Sequence, residues 1–80
     1  SMTEQEWTNK AKSLLVGRMI RGVEYVSAKE CESMGWSSRP LAIHLDDGTW
    51  ILPMRDDEGN DGGAMATSDE ELGTIPVLWS

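Results

Sequence analysis

The chain has 80 residues, seven basic and fourteen acidic, for a formal net charge of −7, with four Trp, one Tyr, no Phe, one Cys and one His. That length fits one domain (1–80) with one small core, and the charge argues against nucleic-acid and anionic-membrane partners, whose recognition needs Lys and Arg to neutralise phosphate. Cys31 has no partner for an internal disulfide, and without a charged-then-apolar leader or an 18-residue apolar run the sequence is that of a cytoplasmic chain.

Ser1 before Met2 reads as a vector remnant. Thr3 and Glu6 then form a capping box, and Trp7, Ala11, Leu14 and Leu15 recur at helical spacing, predicting a helix from Glu4 to Ser13 that lays Trp7 and Leu14 on a sheet. From residue 14 to 79 the pattern is β-rich. Leu15 to Val26 reads as a strand whose alternation changes phase, which a bulge near Arg21-Gly22 reconciles. Ser27 with Glu30 repeats the capping pattern, and Ala28 to Met34 closes on Gly35, predicting about two turns of helix.

The strongest local signal is a hairpin. Apolar residues alternate along Leu41, Ile43, Leu45 and along Trp50, Leu52, Met54, around Asp47-Gly48. A two-residue type I′ turn would set Asp46 opposite Thr49, Leu45 opposite Trp50, Ile43 opposite Leu52 and Leu41 opposite Met54. That face would be core, with Ala42, His44 and Ile51 on the other. Arg55 to Gly63 follows as a polar, Gly-rich loop. Thr67 and Glu70 predict one more helical turn, and Ile75 to Trp79 a last strand weakened by Pro76. The fold class is α+β: an N-terminal helix, a short second helix and a small antiparallel sheet of four to five strands, with the bend at Gly22 giving it a way to curl into a partial barrel.

Acid concentrates after residue 40, and its densest block, Asp56, Asp57, Glu58, Asn60 and Asp61, is a candidate divalent-cation loop because hard cations take carboxylate and amide oxygens. The spacing is not that of an EF-hand: a start at Asp56 places Asp61 where Gly is needed, and a start at Asp57 places Gly59 and Ser68 at ligand positions. The alternative is an ordered acidic turn, with Asp56 or Asp57 accepting from Arg39 or Arg55. His44, the lone histidine, excludes metal sites built on two histidines and would have to serve any enzymatic role; no nucleophile is placed beside it by local spacing. Cys31, flanked by Glu30 and Glu32, reads as a packing residue, and no phosphate-binding glycine motif occurs, so no cofactor is expected. Trp7 and Trp50 count as core by their spacing. Trp36 and Trp79 remain: each either plugs the end of the small core or, if the two sit together on the surface, marks an interface, with Arg39 beside them as a partner-binding candidate.

The run GWSSRPLAIHLDDGTWILPMRDDEGNDGGAM, preceded by LVGRMIRGVEYVSAKECESM, resembles a family of small uncharacterised bacterial domains over roughly residues 14 to 79. The shared features are Gly35-Trp36 before Arg39-Pro40, the Asp46-Asp47-Gly48 turn and the Asp56 to Asn60 loop; the resemblance implies no activity and carries over no functional residue. With no assembled catalytic set, the expected function is a non-catalytic protein-interaction or homodimerisation domain. A cation-binding domain is the alternative, and an enzyme using His44 the weaker one.

Overall fold

A computed structural model describes residues 1–79. In chain order it contains α1 (Glu4–Leu15), β1 (Ile20–Tyr25), α2 (Ala28–Met34), β2 (Ser38–Arg39), β3 (Leu41–Leu45), β4 (Trp50–Ile51), β5 (Met65–Ala66), β6 (Thr74–Ile75) and β7 (Leu78–Trp79). The class is α+β with antiparallel pairing throughout, but the strands form a three-stranded sheet, β1-β3-β4, and two separate two-stranded pairs, β2-β7 and β5-β6. The expected continuous sheet is thus divided, and it does not close into a barrel. Pro76 lies between β6 and β7, splitting the last expected strand in two because it has no N–H for a ladder.

Both helices start where their caps put them. Thr3 Oγ1 accepts from the Glu6 N–H at 3.2 Å, while Glu6 Oε1 accepts from the Thr3 N–H at 3.0 Å. Ser27 Oγ accepts from the Glu30 N–H at 3.1 Å, and α2 stops at Gly35, whose φ of 75° is left-handed. The third capping pattern makes no helix. There the Asp69 carboxylate accepts from the Glu71 and Leu72 N–H groups, and the Thr67 hydroxyl donates to the Leu72 carbonyl, so local side-chain bonds hold residues 67–73 as a loop.

The bulge is present: β1 pairs Ile20 with Leu45 and then resumes with Gly22 opposite His44, leaving Arg21 over. The hairpin register, in contrast, is one residue from the expectation. Ile43 pairs with Ile51 and His44 with Trp50. The turn is a three-residue loop in which the Gly48 N–H donates to the Leu45 carbonyl and the Leu45 N–H to the Thr49 carbonyl. Within the turn only Gly48 takes positive φ, at 90°, and among the described residues no non-glycine does, which excludes type I′ at Asp47. A one-residue slip exchanges faces. Trp50 and Leu52 therefore join the face of Ala42 and His44; Ala42 lies in the core there, packed with Val26, Cys31, Trp36 and the partly buried Leu52, while Trp50 at the end of that face is 59% exposed. Leu45 is buried on the opposite face.

The expectation that Trp7 and Leu14 lie on the sheet is also overturned. α1 has no buried residue and shares no substantial contact with any strand; Trp7 is 60% exposed. Its base is tied down instead. The Arg18 guanidinium donates to the carbonyls of Leu14 and Ser13 and lies 3.5 Å from the Asp47 carboxylate, and the Asp46 N–H donates to the Met19 carbonyl.

Among the glycines the tightest approach is at Gly62. A Cβ there would lie 2.5 Å from Pro40 Cδ and 2.6 Å from the Ser38 carbonyl oxygen, whereas one at Gly22 would meet nothing within 4 Å. Gly62→Ala should destabilise the fold by about 1–3 kcal/mol, and Gly22→Ala should stay within about 0.5 kcal/mol of wild type. Urea unfolding of both variants checks the pair.

Candidate functional site

Two regions were marked by sequence, the acidic loop and the tryptophans, and the structure gives them different roles. The loop is knitted to itself and to the segment before β3. Asp56 Oδ1 accepts from the Glu58 and Asn60 N–H groups at 3.1 and 3.2 Å, and its Oδ2 from the Asn60 side-chain amide at 2.8 Å. Asp61 Oδ1 accepts from the Ser38 N–H at 3.0 Å and the Gly62 N–H at 2.8 Å, while Oδ2 accepts from the Ser37 hydroxyl at 3.0 Å. Hydrogen bonds hold both carboxyls below the usual aspartate range, that of Asn60 foremost for Asp56 and that of the Ser38 amide for Asp61.

The loop therefore brings Asp56 to Asn60 and Asp61 to Ser37 and Ser38, and their oxygens point into these bonds. Among the described residues no three acidic, His or Cys side chains are grouped so as to hold a metal ion. Of the two arginines expected to hold the loop, Arg55 does so and Arg39 does not. Arg55 Nε is 3.8 Å from Asp56, but Arg39 Nε donates to the Val26 carbonyl at 2.8 Å, tying the end of β1 to β2.

Of the two readings for Trp36, the structure takes the core plug: it is 8% exposed, and its indole N–H donates to the Gly59 carbonyl at 2.8 Å, a second tether on the acidic loop. Trp79 is exposed, at 74%, on the pair β2-β7. Cys31 is fully buried, its thiol donating to the Ser38 carbonyl at 3.8 Å. Burial pushes the thiol pKa up, with the Asp61 and Glu30 charges adding and Arg39 opposing, which fits a packing role. His44 Nε2 lies 3.2 Å from Glu24 Oε1, a half-exposed pair with no nucleophile of the chain described beside it.

The feature that the sequence did not reveal is a groove of about 700 Å³ on the face carrying Ala42 and His44. Its walls include Met34 of α2, Trp50, Leu52 and Met54, with Glu24 and Glu30 at its edge. The missed signal was Trp50. Because Trp50, Ile51 and Leu52 are all large and apolar, either register looks amphipathic, and only the turn geometry decides which side the indole takes.

No family model, curated protein or solved structure matches the chain. Among the described residues no helix is long and apolar enough to cross a membrane.

The Asp61 clamp is testable by acid titration. Because its folded-state pKa is depressed, its contribution is complete at neutral pH, fades as pH falls toward the unfolded aspartate value near about 3.9, and is lost below the folded value. Exchange of the Trp36 indole N–H, followed by NMR, should accelerate over that window. In Asp61→Asn exchange should already be faster at neutral pH, and the Asp61 share of the acid dependence should be gone.

Proposed function

We propose that the chain is a non-catalytic protein-interaction domain that acts by self-association. The observation that supports this reading best is surface area. The folded chain exposes 6042 Å², whereas a folded monomer of its 8.9 kDa mass exposes about 4,800 Å². The excess of about 1,200 Å² exceeds the ~800 Å² that each partner contributes to a standard protein interface.

The radius of gyration points the same way: 13.9 Å, against about 11.6 Å for 80 residues in a globular domain. The uncovered surface is strongly apolar, with Trp7, Val16, Met19, Ile20, Val23, Trp50 and Trp79 each more than half exposed. Second copies would bury it with closed symmetry, as most soluble oligomers do. Sedimentation equilibrium at micromolar concentration should give twice the 8.9 kDa chain mass; a strict monomer that also recovers no partner in a pull-down would count decisively against the proposal.

A further inference from the structure

The chain has two unpartnered surfaces, and they complement one another. Helix α1 presents Trp7, Ala11, Leu14 and Leu15 at helical spacing, uncovered by its own chain; its first turn carries Glu4 and Glu6, and its second half, the half that bears Ala11, Leu14 and Leu15, is basic through Lys10 and Lys12. Both lysines are exposed, and neither is in an ion pair among the described residues. The groove has the converse character: apolar walls, Glu24 and Glu30 as its only carboxylates, and no Lys or Arg. None of its lining residues comes from α1.

We propose that helix α1 of one copy seats in the groove of a second copy, and reciprocally, so that the dimer is held by exchanged N-terminal arms. This rests on the self-association proposed above and names its surface. An amphipathic helix in an apolar groove is a recurrent recognition mode, and here Trp7 and Leu14 supply anchors of the kind such grooves take. Lys10 and Lys12 then meet Glu24 and Glu30, the opposite charge at the rim. One two-fold axis satisfies both helices and both grooves, so no apolar arm is left to propagate a filament.

The base of the arm fits the exchange. Arg18, joined to the last carbonyls of α1 and to Asp47, fixes the helix end at the hairpin turn, while the helix itself, about 18 Å long, stands clear of its own groove. The excess exposed area of about 1,200 Å² per chain exceeds the ~800 Å² that one partner contributes to a whole standard interface, here its arm and its groove together.

The test is a charge exchange in the full chain. Lys10→Glu/Lys12→Glu and Glu24→Lys/Glu30→Lys should each raise the dimer dissociation constant at least about tenfold, and an equimolar mixture of the two should restore a dimer close to wild type, because each altered arm then meets a groove of opposite charge. Far-UV circular dichroism checks folding. Since Glu30 also bonds the Ser27 cap of α2, Trp7→Ala serves as an independent variant, expected to weaken the dimer at least about tenfold with the folded body intact. If the wild type dimerises and none of the three variants changes its constant, or if the mixture of charge variants restores nothing, arm exchange is overturned while self-association stands. A wild type that stays monomeric overturns both.

Discussion

The Asp61 carboxylate carries more of the architecture than its place in a polar loop suggests. It accepts from the amide of Ser38, the hydroxyl of Ser37 and the amide of Gly62, and so fastens the acidic loop across the segment that enters β3. Gly62 must lie flat against Pro40 and Ser38 for this to happen, and Pro40 and Cys31 become the most deeply buried side chains as a result. The loop in turn delivers the Gly59 carbonyl to the Trp36 indole, which satisfies the one polar atom of a core tryptophan. Acid in this stretch is thus a structural resource: charged acceptors make stronger bonds to backbone amides than neutral ones do.

What was legible in the sequence was local, and what was not depended on distance. The capping residues Thr3 and Ser27, the left-handed Gly35 and the bulge at Arg21 all follow from side chains acting within a few positions of themselves. The hairpin was legible as a hairpin but not in its register, because Asp46-Asp47-Gly48 suits a three-residue loop with one left-handed glycine as well as Asp47-Gly48 suits a two-residue one. That single ambiguity moved Trp50 from core to surface and Ala42 from surface to core. Trp36 stayed undecided between core and surface for another reason. Its partner, Gly59, lies 23 positions away, and no spacing rule reaches across a loop.

The same limit governs the candidate site. The sequence drew attention to Asp56 through Asp61 as ligands, yet most of the hydrogen-bond donors that occupy Asp56 and Asp61 are backbone amides, which composition does not show, with the Asn60 side-chain amide and the Ser37 hydroxyl completing the set. The groove required knowing that α2 stands beside the Ala42 face and that α1 does not cover it. An apolar helical stripe announces burial against something; it does not say whether that something belongs to the same chain.

Because, among the described residues, α1 makes its bonds with itself and with its own base, its order is decided separately from that of the sheet. A 12-residue helix in water is marginal even with a capping box and the Gln5–Asn9 side-chain bond to help it. The isolated chain should therefore lack a single cooperative unit: the helix is expected to fray at its own free energy while β1, β3 and β4 stay paired, so that a thermal curve read by circular dichroism would contain a gradual helical component beneath the main transition.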